Sequence, residues 1–188
     1  MPTIQENLSM WEEIYQWSQR GDEWSESWGG SDMQWYGTIL PRLHTFVPAE
    51  TILEIAPGYG RWTQFLKDLG KKIFLVDLSE KCIQSCKSRF GAFSHITYFV
   101  NDGKSLKMIP DNSIDLVFSF DSLVHVEEDV IKAYISQISI KLKKNGVAFI
   151  HHSNLGAYLK YFHLIDNDLP LIKSVRSKKS KFSGKFIN

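Results

Sequence analysis

Cysteine is scarce in this sequence of 188 residues: there are two, Cys82 and Cys86. A spacing of four puts both on one face of a helix, and it matches neither a redox pair nor a zinc knuckle. They read as core thiols, or a helix-face pair, in a reducing compartment. No apolar run approaches the roughly 20 residues that a membrane-spanning helix needs. The N-terminus has no basic segment leading into an apolar stretch, so no signal peptide is visible. A cytoplasmic location without a membrane partner is the expectation. A dominant charge is also lacking, since the net charge is +1. No overall field therefore points to nucleic acid. What charge there is lies unevenly. Residues 1–33 carry seven acids against Arg20 alone, and residues 173–188 carry six bases and no acid. That basic end has only Phe182 and Phe186 among its six charges, a poor surface for stacking on bases, so a nucleic-acid partner is not expected.

Hydrophobic residues make up 43% and charged residues 23%, which suits a globular chain with a real core. From about residue 50, short apolar runs alternate with helical stretches: TILEIA (51–56), KIFLVD (72–77), HITYFV (95–100), IDLVFSF (114–120) and GVAFIHH (146–152). Near-continuous apolar runs suit parallel strands buried on both faces. Helices are predicted over Arg61–Leu69, Glu80–Phe90 and Glu127–Lys143. Gly70, Gly91 and Asn145–Gly146 are their stop signals, and Ser79 is an N-cap for the second. Upstream, residues 4–19 and 32–46 have helical periodicity, with Pro41 expected to kink the latter. Residues 20–31 read as a loop. The fold class is α/β: a doubly wound, mostly parallel sheet with helices on both faces. Three segments are expected: an aromatic helical lid (1–46), a ligand-binding α/β domain (47–165), and a basic tail or truncated connection (166–188).

Such a sheet binds ligands outside the carboxyl ends of its strands. The first strand ends in Glu54-Ile55-Ala56-Pro57-Gly58-Tyr59-Gly60-Arg61. Gly58 and Gly60 allow a tight turn and close approach of a ligand, although a plain strand–helix turn would also use them. The second strand ends in Asp77, where a carboxylate typically accepts from ribose hydroxyls. The bland alternative is an acid favouring a helix N-terminus. The nicotinamide fingerprint requires a third glycine. Thr63 or Arg61 stands there, depending on register, which disfavours a NAD-dependent oxidoreductase.

EIAPGYG resembles motif I of the class I, Rossmann-like S-adenosylmethionine-dependent methyltransferases, with Ala56 in place of the first glycine. Asp77, the loop Asn101-Asp102-Gly103, IDLVFSFDSLVHV and LKKNGVAFIHHSN resemble that family's later motifs, in order. The resemblance implies S-adenosyl-L-methionine as cofactor, bordered by Glu54, Ala56, Gly58 and Gly60 of motif I, with the two glycines against the methionine moiety. It implies Asp77 on the ribose, Leu78 beside the adenine, Asp102 and Gly103 at the adenine, and Phe120 bordering the sulfonium. Asp102 also has a simple reading as a turn residue. Members usually have seven strands with an antiparallel edge. Five are predicted here, so the last two are read as missing, either because the chain is a fragment or because the fold is trimmed. YLKYFHLI (158–165) is a helix candidate and LPLIKSV (169–175) a weak strand candidate.

Five of the six tryptophans fall in the first 35 residues. They either pack this segment onto the sheet or cover the cofactor, because aromatic faces attract cations such as a sulfonium. WGGSDMQWYGTILPRLHTFVP resembles the lead-in of some bacterial methyltransferases associated with cell-surface glycans. That likeness implies Gln34 and Trp35 near the cofactor, and Tyr15 with them. Methyl transfer to a hydroxyl benefits from a general base. The candidates are His125 or His152, as base or as orienter of the acceptor. Of His151 and His152 only one faces the site if the strand persists. Arg61 would meet an anionic acceptor or cap the turn. No metal-ligand spacing is present. The expected function is methylation of a small molecule or glycan, on oxygen. A non-catalytic, nucleoside-binding module is the alternative.

Overall fold

The computed structural model describes residues 1–153. The strands are β1 (Ala49–Ile55), β2 (Gly70–Asp77), β3 (Ile96–Val100), β4 (Ile114–Ser119) and β5 (Leu142–Ile150). All pair in parallel, in the order β3-β2-β1-β4-β5. The predicted runs and the strands coincide within a few residues, except at the start of β5. The fold is α/β and Rossmann-like. The candidates at 158–165 and 169–175, the basic tail, and the end of the predicted 47–165 domain lie outside the described residues. Residues Met1–His152 form one compact unit.

Alternation along each strand sorts side chains to two faces. Ile52, Ile73, Leu75, Leu116 and Phe118 enter one core, covered by Ile83, Cys86 and Phe90 of α5 (Glu80–Phe90). Leu53, Ile55, Phe74, Val76 and Val117 enter the other, covered by Val130, Tyr134 and Ile138 of α6 (Glu128–Lys141). Both cysteines are free and buried. Ser79 caps α5, its hydroxyl accepting from the Cys82 N–H at 3.0 Å.

Asn145–Gly146 do a different job from the predicted helix stop. The helix ends at Leu142, whose backbone is already extended (ψ 138°). Residues 142–147 then take up an irregularity, because Leu142 opposes Ile114 while Val147 opposes Leu116. Asn145 is left-handed (φ 69°), and a Cβ on Gly146 would lie 2.8 Å from the Ile114 carbonyl oxygen. Glycine is needed there for a close backbone approach.

The N-terminal segment is α1 (Ile4–Ser9) with a wide π turn (Met10–Ile14), a 3₁₀ helix (Asp22–Trp28), then α2 (Ser31–Gln34), a second π turn (Trp35–Ile39) and α3 (Leu40–Leu43). Residues 20–31 are thus more ordered than a loop, with left-handed Gly21 and Gly29 bounding the 3₁₀ helix. The expected irregularity near Pro41 takes the form of the π turn just before it, where the Leu40 N–H reaches back to the Trp35 carbonyl. Trp35, Ile39 and Leu43 are buried in the same core as α5.

Candidate functional site

The sheet order reverses between β1 and β4, the place where such sheets bind ligands. A cleft of about 970 Å³, counting its open mouth, lies there. The turn after β1 forms its floor, the ends of β2 and β4 its walls, and the N-terminal segment its roof.

The floor is held in unusual backbone geometry. Ala56, Gly58 and Gly60 have φ of 57°, 57° and 84°. For Ala56, which is not a glycine, left-handed geometry costs about 1–2 kcal/mol. It is fixed by its N–H on the Val76 carbonyl at 2.7 Å and by the Ser122 hydroxyl on its own carbonyl at 2.8 Å. Gly58 lines the cleft, and a Cβ there would meet the Trp17 ring at 2.8 Å. Gly60 faces away from the cleft, and a Cβ there would meet Phe90 at 2.4 Å. Thr63 occupies the third-glycine position of a nicotinamide turn. Its buried hydroxyl donates to Glu54 Oε2 at 2.6 Å, tying the start of α4 (Thr63–Leu66) to β1.

Asp77 lies at the end of β2, buried and lining the cleft. Its carboxylate accepts from the Ser79 N–H at 2.9 Å and the Gly58 N–H at 3.1 Å, bridging the first two strand ends. Burial pushes its pKa up to about 6 against these donors, so it is mostly ionised at neutral pH. Glu54 is also buried, outside the cleft lining, and burial pushes its pKa up to about 8. At neutral pH it is chiefly the neutral acid.

The roof is an aromatic cluster. Trp11 lies 5.5–6.1 Å from Tyr15, Trp17 and Trp24, centroid to centroid. Trp17 stacks on Tyr59 at 4.5 Å. Trp11, Trp17 and Trp24 all line the cleft. The roof is latched beside Asp77: the Glu12 carboxylate accepts from the Ser79 hydroxyl and from the Lys81 N–H, the latter at 3.2 Å. Arg61 is buried and lines the cleft. Its guanidinium lies over the Trp62 ring at 4.5 Å and donates to Ser25 of the roof and Asp121 of the wall, at 3.2 and 2.8 Å.

The structure gathers many of the sequence-predicted residues, and separates others. Ala56, Gly58, Asp77, Leu78, Gly103, Phe120 and His125 line the cleft. Glu54 and Gly60 stand behind its floor. The exposed Asp102 carboxylate turns into its own loop, accepting from the Ser105 N–H at 2.7 Å and the Lys104 N–H at 3.1 Å. Trp35 is buried in the core, stacked on Phe65 at 4.8 Å, and outside the cleft lining, as are Gln34 and Tyr15. His125 is half-buried, its ring 5.6 Å from Trp11, and burial lowers its pKa. His152 is exposed and outside the lining. Sequence reasoning assigned no role to Asn7, Trp62 or Tyr134, which also line the cleft. The helical period of 4–19 was the only signal for Asn7, whose side chain donates to the His125 carbonyl at 3.0 Å.

A family model for the methyltransferase domain matches residues 52–146, half of the chain. The chain belongs to this methyltransferase domain family. A curated relative from Triticum aestivum, phosphoethanolamine N-methyltransferase 1, is 30% identical over 118 residues, 60% of this chain and 24% of that protein. The Caenorhabditis elegans protein of the same name is 26% identical over 114 residues, 61% of this chain and 23% of that protein. The chain thus spans about a quarter of the length of the curated relatives it matches. Among solved structures, the DhpI–SAM–HEP complex aligns with a TM-score of 0.62 at 21% identity, covering 88% of this chain and 72% of that one. At that identity the likeness shows the fold. Among the described residues no helix is long and apolar enough to cross a membrane, and no group of three metal-ligating side chains occurs.

Proposed function

We propose that this methyltransferase-family chain binds S-adenosyl-L-methionine in the cleft and transfers its methyl group to a small polar acceptor. The observation that carries the reading is Asp77: a buried, mostly ionised carboxylate on the cleft wall, beside a floor with no Cβ at Gly58. That arrangement fits a ribose diol, whose two hydroxyls need an acceptor at a strand end. The fit extends to the rest of the group. Gly103 (φ 86°) lines the cleft with Leu78 and Ile4, apolar surroundings that suit an adenine face, and Ile4 packs where a Cβ would stand, at 2.8 Å. Trp11, Trp17 and Trp24 supply the aromatic faces that favour a cation.

When bound, the cofactor supplies a methyl carbon already activated by its positive sulfur. The protein's own task is to align the acceptor with it and exclude water. Phe120 and Trp62 form the apolar wall of the cleft, and the roof tryptophans Trp11, Trp17 and Trp24 cover part of it. His125, neutral at physiological pH and on the cleft wall, orients the acceptor by hydrogen bonding. An oxygen acceptor on a small molecule or glycan is the leading reading, supported by the His125 imidazole on the cleft wall. A nitrogen acceptor is the second reading, favoured by the phosphoethanolamine N-methyltransferases among the relatives.

Calorimetric titration with S-adenosylhomocysteine tests the cofactor. Binding near micromolar, about −8 kcal/mol, is expected for the wild type and its loss for Asp77→Ala. A folded wild-type chain that does not bind refutes the reading. Transfer of labelled methyl to phosphoethanolamine or to methyl glycosides then separates the nitrogen and oxygen readings.

A further inference from the structure

At the rim of the cleft, three residues distant in sequence form one array. Asp121 follows β4 and has a left-handed backbone (φ 64°), which non-glycine residues adopt at a cost and which clusters at functional sites. Its Oδ2 accepts from Arg61 at 2.8 Å, and its Oδ1 lies 2.9 Å from His151 Nδ1. The His151 ring stacks on Phe120 at 4.6 Å, and the backbone N–H of His151 donates to the Ser119 carbonyl at 2.8 Å. An ionised carboxylate only accepts hydrogen bonds. In the neutral imidazole, Nδ1 therefore carries the proton and Nε2 keeps its lone pair. The His151 ring is exposed and stands outside the cleft lining, at its rim, held against Phe120 and Asp121, which do line the cleft.

We propose that His151 is the general base that takes the acceptor's proton, with Asp121 fixing its tautomer and Arg61 positioning Asp121. This rests on the methyltransferase reading above. The acceptor's proton, from a hydroxyl or an ammonium group, passes to Nε2, and the oxygen or nitrogen lone pair so made available forms the bond to the methyl carbon of the sulfonium donor. The carbon–sulfur electron pair stays on sulfur, which becomes a neutral thioether. The imidazolium then returns its proton to water. A carboxylate bonded to the far ring nitrogen stabilises the charge that the imidazole takes on. His125 has no such partner among the described residues. Its ring is half-buried beside Trp11 and Trp24, and burial, only partly offset by the Asp121 charge, opposes the charged form a base must pass through. His151 therefore serves proton removal, and His125 orientation.

The test uses the full chain with His151→Gln and Asp121→Asn, since asparagine tolerates a left-handed backbone. Nitrogen-15 NMR of the His151 ring reads the tautomer without any acceptor. The Nδ1–H form is expected in the wild type, with a reduced share in Asp121→Asn. Turnover is measured with whichever of methyl glycoside or phosphoethanolamine is methylated faster. His151→Gln is expected to lose about 10²–10⁴-fold in turnover, with S-adenosylhomocysteine affinity held within about threefold. An Nε2–H wild-type ring, or His151→Gln turnover within about threefold of wild type, overturns the proposal while S-adenosylhomocysteine still binds. Absence of that binding in the wild type overturns the parent reading and this proposal with it.

Discussion

Glu54 is a carboxyl group placed where charge is expensive, and its titration should be visible in the stability of the whole molecule. It is fully buried, and its pKa is pushed from an ordinary 4.5 to about 8, first by burial and then by the neighbouring Asp77 charge, against the Thr63 hydrogen bond. The unfolded chain gives up this proton near 4.5, whereas the folded chain keeps it until about pH 8. The unfolded state therefore binds fewer protons in that window, and stability falls as pH rises through it. At about 1.36 kcal/mol per pH unit, the interval from 4.5 to about 8 corresponds to roughly 5 kcal/mol of stability present below the window and gone above it. Glu54→Gln removes the titration and retains an oxygen for the Thr63 hydroxyl. Asp77 also loses stabilisation with rising pH, up to about 6, but does so in both proteins. The difference between them isolates Glu54. Urea unfolding at pH 5 and at pH 8.5 is the assay. The variant should gain on the wild type by several kcal/mol between the two, and be the more stable at the higher pH. A difference that stays constant within about 1 kcal/mol would mean that Glu54 is ionised in the fold, and would refute the reasoning.

Two further substitutions probe the floor and the roof. Gly60→Ala should cost about 1–3 kcal/mol, because φ is 84° and the new Cβ would lie 2.4 Å from the buried Phe90 ring; thermal unfolding reads it, and a shift of under one degree would contradict the geometry. Trp35→Ala should cost about 3–5 kcal/mol by emptying a core site, while S-adenosylhomocysteine affinity per folded molecule stays within about threefold; a larger drop in affinity would place Trp35 at the cofactor rather than under the domain.

The β1 turn shows how local order becomes legible. Strand β1 is a run of apolar residues followed by a glycine turn, and that pattern is readable locally although its partners β2 and β4 lie far along the chain. The same holds for Ser79, which caps its own helix three residues on. Asp77 could be placed at the site because a strand end is defined by where periodicity stops. Trp35 could not be assigned the same way. Its helical period is visible, but which side of the sheet receives it depends on Phe65 and Trp62, which lie in another element. Asp102 was named from its loop, yet two backbone N–H groups of that same loop claim its carboxylate.

The sequence by itself determined the glycine turn and the carboxylate at the second strand end, which follow from periods and propensities within about ten residues, and the parallel sheet, which follows from the alternation of strand and helix along the chain. Only the tertiary structure decided the pairings at long range. Glu12 reaches Ser79 across 67 positions, Arg61 reaches Asp121 across 60, and Asp121 reaches His151 across 30. Such contacts have no sequence period. They exist because the sheet order brings the ends of β1, β4 and β5 to one rim, and because the aromatic roof has an apolar face to bury there.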